Sequence, residues 1–210
     1  MCGVVGFNGK FHRPAFELFC RLVDQSEVRG MHAYGVATAC EDCAVRTFKG
    51  FTADSIKEFA ERFVGQKGAV IAHTRYSTSG DYKVHANNQP IVRASTALVF
   101  NGVVTQLPKH QWVDSFGVEC HTENDGEILL ALAEAGQPIA DSISKTNATF
   151  AGLWISDGNL NAYRNPKRPL YQAKHKAGVY YASTSDIFRR AWPDSSPVEL
   201  KAGVAYASKY

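Results

Sequence analysis

The sequence predicts an α+β fold with mostly antiparallel sheet, in a single domain over residues 1–210. Three observations point there. Strand-like runs outnumber helical ones, they do not alternate as βαβ units, and no repeat, low-complexity tract or Pro/Gly-rich linker divides the chain. With 45% hydrophobic and 20% charged residues in 210, the chain has enough apolar side chains for a full core, which argues against disorder as its main state.

The elements follow in order. Cys2 to Phe7 is a short apolar run centred on Val4 and Val5 and bounded by the Gly9 region, the signature of a buried strand. After Pro14, which suits a first helical turn, Phe16, Phe19, Leu22 and Val23 recur at helical spacing and predict a helix over roughly 14–25. Tyr34 to Ala39 and Ala44 to Phe51 flank the polar pair Glu41-Asp42 as a hairpin. Ile56, Phe59, Ala60 and Phe63 mark a second helix. Ala69 to Arg75 reads as a strand that runs into a polar segment, Ser77 to Gln89, predicted to be a loop over a site. Ile91 to Arg93 and Ala97 to Phe100 are two further strands. Asp125 to Ala135 carries Ile128, Leu129, Leu130 and Leu132 behind acidic residues that favour a helix start. Phe150 to Ser156, the Asp157-Gly158 turn and Leu160 to Arg164 form a strong hairpin pattern. Strands near Val179 to Ala182 and Val204 to Ala207, with a short helix at Ile187 to Ala191 between them, complete the reading.

Composition narrows the function. The charge of +3 is not gathered into a basic stripe, so no nucleic-acid partner is indicated. No stretch approaches the roughly 20 apolar residues of a membrane span, and the N-terminus lacks a signal-peptide layout; a cytoplasmic protein with no membrane partner is expected. Five cysteines, Cys2, Cys20, Cys40, Cys43 and Cys120, are an odd number in a domain large enough to fold without cross-links, which favours reduced thiols.

Cys2 is the most informative of them. Removal of Met1, which a small following side chain permits, would leave a free α-amine beside a thiol. An α-amine titrates near ~7.7–8.0 and a thiol near ~8.5, so one residue can supply both base and nucleophile without a histidine. With Met1 retained, that nitrogen is an amide and the mechanism is lost. The plainer alternative is a small buried core cysteine.

Several ordered blocks decide between these. The chain starts Met-Cys-Gly-Val-Val-Gly, followed by Arg29-Gly30 with Gly35. Then come His73-Thr74-Arg75-Tyr76-Ser77-Thr78, Asn87 to Pro90, Asn101-Gly102, and Thr122-Glu123-Asn124-Asp125-Gly126-Glu127. In this order they resemble the blocks of class II glutamine amidotransferase domains, whose fold is that of the N-terminal nucleophile hydrolases. Gly152 to Arg164 and Tyr181 to Asp186 resemble later family segments more loosely, so the resemblance covers nearly the whole chain. It implies a four-layer αββα sandwich of two mainly antiparallel sheets, glutamine as substrate, and no cofactor or metal.

The resemblance also implies site roles, each with a physical rationale and a simpler alternative. Cys2 is the nucleophile. Arg75 offers a guanidinium fork to the α-carboxylate of glutamine, or else forms a structural ion pair. Asp125 receives the α-ammonium, or else caps a helix. Asn101 and Gly102 supply a side-chain amide and a backbone N–H to an oxyanion, or else form a plain Asn-Gly turn. Tyr76 and Thr78 contact substrate, and Arg29 and Gly30 lie near the nucleophile as structural residues. The chain departs from the family at His32-Ala33, where Asp-Ser is usual, and at Phe100, where histidine often precedes the Asn-Gly pair. No synthase segment is attached, so a separate acceptor enzyme is expected, or plain glutaminase activity.

Three other readings have sequence support. Cys40-x-x-Cys43 with Cys120-His121 offers four zinc-type ligands, but the second half lacks the usual spacing. The scaffold could act as a catalytically silent binding or regulatory subunit, or cleave another amide through the same cysteine.

Overall fold

In a computed structural model, which describes residues 1–40, 43–77 and 80–210, the chain forms two stacked antiparallel sheets between helical layers. The first sheet collects β1 (Gly3–Lys10), β2 (Ala33–Cys40), β3 (Cys43–Gly50) and β4 (Lys67–Arg75), with α1 (Arg13–Ser26) and α2 (Ala53–Glu61) connecting them. The second is built from β5 (Ile91–Arg93), β6 (Thr96–Val103), β7 (Thr149–Ser156) and β8 (Asn159–Arg164). Helices α3 (Trp112–Phe116), α4 (Gly126–Glu134) and α5 (Ile139–Lys145) lie between β6 and β7 in sequence. The chain then returns to the first sheet with β9 (Tyr171–His175), β10 (Gly178–Ala182), α6 (Ser185–Ala191) and β11 (Val198–Glu199), and adds β12 (Tyr206–Lys209) to the second. The sheet orders are β11-β9-β10-β1-β4-β2-β3 and β12-β8-β7-β6-β5.

Period-two side-chain alternation accounts for three cores. On the outer face of the first sheet, Val5, Phe7, Val36, Val70 and Ala72 pack against Phe19 and Leu22 of α1 and Ile56 and Ala60 of α2. The opposite face places Val4, Ala37, Ala39, Ala69 and Ile71 against Ala97, Val99, Ala151 and Leu153 of the second sheet. The second sheet's outer face, with Leu98, Phe100, Phe150 and Trp154, is covered by Ile128, Leu129 and Leu132 of α4 and Ile143 of α5. Helix–sheet, sheet–sheet and sheet–helix contacts make the expected four layers.

Local signals explain the helix starts. His12 caps α1 by accepting from the Ala15 N–H at 3.1 Å, with Pro14 in the first turn. Thr52 caps α2 through the Ser55 N–H at 3.3 Å. Two boundaries differ from the sequence reading. Gly9 does not end β1 but lies within it opposite Gly178, where a Cβ would stand 2.2 Å from the Ala177 carbonyl oxygen. The last strand begins at Tyr206 rather than near Val204, after a turn with Gly203 at φ +75°. The 41–42 turn of the predicted hairpin lies outside the described residues. Cys40 is disulfide-bonded, which corrects the expectation of reduced thiols throughout, whereas Cys2, Cys20 and Cys120 are free.

Gly35 shows how tightly the first sheet meets the loop leading to β5. A Cβ there would stand 1.9 Å from the Gln89 carbonyl oxygen and 2.7 Å from Pro90 Cδ. Gly35→Ala is therefore expected to destabilise the protein by ~1–3 kcal/mol through overpacking, read as a lowered midpoint of denaturant unfolding. An unchanged midpoint would mean that the 89–90 backbone moves aside at no cost.

Candidate active site

The start of β1, the end of β4 and the end of β6 converge at one end of the sandwich. Gly3 pairs with Thr74, so Cys2 lies just beyond the ladder beside Arg75 and Tyr76. Its Sγ lies 3.6 Å from the Tyr76 carbonyl oxygen. The Cys2 carbonyl accepts from Arg29 Nε at 2.7 Å, and Gly30 lets the 27–30 turn approach closely, since a Cβ there would meet the Arg75–Tyr76 peptide at 2.3 Å. Burial pushes the Cys2 thiol above its ordinary pKa, while the chain's terminal ammonium and the Arg75 and Arg29 guanidiniums pull it back.

Asn101 reaches Cys2 from the other sheet. It is 3% exposed, and its Oδ1 accepts from the Cys2 N–H at 3.2 Å, while its Nδ2 is buried with no partner among the described residues. The Asn101-Gly102 pair is not a turn. Both residues continue β6, opposite Ala151 and Phe150 of β7, and a Cβ on Gly102 would overlap the Thr149 carbonyl oxygen at 1.9 Å. The glycine is required by this close strand contact rather than by a bend.

Arg75 is 5% exposed, and its fork donates to Asn88 Oδ1 and, at 3.2 Å, to the Gly80 carbonyl. The polar segment after β4 is thereby tied down. Asn87 donates to Glu123 Oε2 at 3.0 Å and accepts from the Glu123 N–H at 2.9 Å, and Gln89 Oε1 accepts from the Phe100 N–H at 2.6 Å. His32, at the family departure, stacks between Tyr76 and Tyr82 with ring centroids 4.9 and 5.1 Å away, and its Nδ1 accepts from the Ser77 N–H at 3.0 Å. His73 is fully buried, and burial together with Arg75 lowers it to about 3, so it stays neutral.

Asp125 precedes α4 but does not cap it. Its Oδ2 accepts from the Val104 and Thr105 N–H groups at 2.5 and 3.1 Å, tying the segment after β6 to the start of α4. The Gly126 N–H is instead satisfied by Asn124 Oδ1 at 3.1 Å. Burial pushes the Asp125 carboxyl up despite these amides. Glu127, 2% exposed, accepts from the His121 and Thr122 N–H groups and pairs with Arg93 at 3.3 Å.

These elements enclose a cleft of about 530 Å³, in the size range of small-molecule sites. Of the predicted residues, Cys2, Tyr76, Asn101, Gly102 and Asp125 line it. Arg29, Gly30 and Arg75 lie behind its wall, and Thr78 is outside the described residues. Sequence reasoning missed Lys109, Trp112, Glu123 and Arg168 in the lining, and gave Asn87 to Pro90 no role in holding the loop. The Asn-x-Gln-Pro block was the available signal for the latter; no local pattern marks Arg168. Among the described residues no group of three His, Cys, Asp or Glu is placed to hold a metal ion; of the zinc reading, the Cys43 side chain lies outside them and Cys40 is disulfide-bonded, which removes its thiolate from metal binding.

The raised Asp125 carboxyl has a stability consequence. The folded chain holds this proton more tightly than the unfolded one, so the Asp125 contribution to stability falls as pH rises out of the acid range. Asp125→Asn keeps an acceptor for Val104 and Thr105 and removes the buried charge. It is expected to melt above the parent at neutral pH, with the difference fading below the ordinary carboxylate range. A lower melting temperature at neutral pH would show that the charge-assisted bonds outweigh burial.

The comparisons with known proteins agree with this architecture. A family model described as a glutamine amidotransferase domain matches residues 73–190, more than half of the chain. A glutamine–fructose-6-phosphate aminotransferase (isomerizing) of Bacillus thuringiensis is 28% identical over 184 residues, covering 84% of this chain and 29% of the relative. The Staphylococcus aureus protein of the same name is 30% identical over 186 residues, covering 84% and 30%. The chain thus spans less than a third of these relatives. Among solved structures, the glutamine phosphoribosylpyrophosphate amidotransferase of Bacillus subtilis superposes with a TM-score of 0.77 at 22% identity, covering 99% of this chain and 49% of that one. A glutamine aminotransferase class-II domain protein of Silicibacter pomeroyi superposes at 0.57 and 13% identity, covering 99% of each chain. Sequence match, sheet topology and fold likeness together establish that the chain belongs to the glutamine amidotransferase domain family, of class II and with the N-terminal nucleophile hydrolase fold.

Proposed function

We propose that the chain hydrolyses the side-chain amide of glutamine to glutamate and ammonia with Cys2 as nucleophile, and that the ammonia passes to a separate acceptor enzyme. The observation that carries this reading is the double placement of Asn101. Its Oδ1 holds the Cys2 nitrogen, and its buried Nδ2 is left to donate to an oxyanion formed beside the thiol.

The chemistry follows from loss of Met1, a residue 65% exposed at the cleft. The freed Cys2 amine takes the thiol proton, and Sγ attacks the amide carbon. Asn101 Nδ2 and the Gly102 N–H stabilise the tetrahedral oxyanion, and the protonated amine returns its proton as ammonia leaves. Water, deprotonated by the same amine, then opens the γ-glutamyl thioester, which releases glutamate and restores the thiol. Asp125 receives the substrate ammonium from the cleft wall. Arg75 takes the α-carboxylate in exchange for its bond to the Gly80 carbonyl, and Tyr76 borders the same pocket.

Two measurements test this. Cys2→Ala should abolish glutamine hydrolysis and single-site labelling by a diazo-ketone glutamine analogue; retained turnover would overturn the mechanism. Arg75→Lys keeps the charge and loses the fork, so KM for glutamine should rise about tenfold or more with a smaller change in kcat. An unchanged KM would remove Arg75 from the substrate site.

A further inference from the structure

Arg168 stands just after β8 on a firmly held backbone. Its N–H donates to the Asn165 carbonyl at 3.3 Å, and its own carbonyl accepts from Arg164 Nη1 at 2.9 Å. Arg164 is in turn fixed by the Leu200 carbonyl at 2.7 Å and Glu199 at 3.1 Å. The Arg168 guanidinium, by contrast, makes no hydrogen bond or ion pair among the described residues, and its Nε is buried without a partner. A buried donor left unmade costs free energy comparable to a lost hydrogen bond, so a side chain held this way on a rigid turn calls for an acceptor.

The surroundings indicate which acceptor. Arg168 lines the cleft that holds Cys2. Arg29 donates to the Cys2 carbonyl at 2.7 Å and to Met1 Sδ at 3.8 Å, both residues of the same lining, and burial together with the charge of Arg168 lowers it from its ordinary range. No carboxylate pairs with either guanidinium among the described residues, and the acidic lining residues have other partners: Asp125 takes the Val104 and Thr105 amides, and Glu123 takes Asn87. Two neighbouring cations without a counter-charge in a cleft wall favour an anion.

We infer that Arg168, backed by Arg29, forms an oxyanion subsite of this cleft that takes the carboxylate or phosphate group of a second small molecule. The planar fork suits two oxygens of either group. Assigning the group to a second compound rests on the reading above, in which Arg75 holds the glutamine carboxylate; the anion site itself does not depend on it.

The test is a nuclear magnetic resonance titration of the full chain labelled with 15N-arginine. Inorganic phosphate, methyl phosphate or acetate replaces chloride at constant ionic strength, and Arg168→Lys assigns the Arg168 Nε–H signal. A saturable shift of that signal is expected, with Arg13 and Arg190, already paired on the surface with Glu61 and Asp186, left unmoved. Arg168→Gln should weaken binding, followed at the Arg29 signal, by about tenfold or more. Arg168→Lys should weaken it at an unchanged melting temperature, which separates lost binding from lost folding. Preference for methyl phosphate would mark a phosphorylated ligand, preference for acetate a carboxylate, and strongest binding of inorganic phosphate the free ion. No saturable shift, a parallel shift of Arg13 and Arg190, or full affinity in Arg168→Lys would overturn the subsite. Repeating the titration on Cys2→Ala protein reads anion binding independently of glutamine hydrolysis.

Discussion

The site depends on how closely the two sheets stack. The layer between them is rich in small side chains, with Ala37, Ala39 and Ala69 on one sheet and Ala97, Ala151 and Ala162 on the other. At Gly6 even a methyl group would stand 2.4 Å from Leu153 Cδ1. Interiors are packed to crystal-like density, so this layer sets the separation of the sheets and little else can change it. The Cys2–Asn101 contact is made across that separation, between residues 99 positions apart. Cys2 on one sheet and Asn101 on the other remain in register because neither sheet can slide without breaking the alanine layer.

Much of the fold was legible because its strands alternate cleanly and its helices carry ordinary start signals. The pattern Phe16, Phe19, Leu22, Val23 faces one core, and the Asp157-Gly158 turn closes the β7–β8 hairpin with both residues at positive φ. What escaped was structure set by distant partners. The strand β9 is half-polar and owes its place to pairing with β10 and β11 on either side. The short helices α3 and α5 are too brief to show a period and are held by Trp112 and Ile143 in a core made by other elements. Gly9 looked like a strand end because a glycine commonly is one; here it permits close approach of Gly178.

The site was legible to a different degree. Cys2, Asn101 and Asp125 were visible as residue types in ordered blocks, yet what each touches came only from the structure. Asp125 shows the difference: a helix-start acid normally satisfies its own helix, whereas this one reaches back to the residues after β6 and leaves capping to Asn124. His32 does likewise. Its imidazole fills the space between two tyrosines and accepts a backbone N–H, a packing role that its position in the sequence did not announce. Arg168 left no sequence trace because its significance is a missing partner, which no spacing rule encodes.

The central position of β1 has a consequence for the order of events during synthesis. Its flanking strand β10 begins at residue 178, and the Asn8 side chain is held by Ser208 and Lys209. At translation rates of ~5–20 residues per second, the cysteine leaves the ribosome on the order of ten seconds before the second partner strand of β1. Throughout that interval β1 can pair with β4 but lacks β10, so Cys2 lies at the start of a strand with only one of its two neighbours. The topology of one sheet thus defers the second flank of its first strand to the last sixth of the chain.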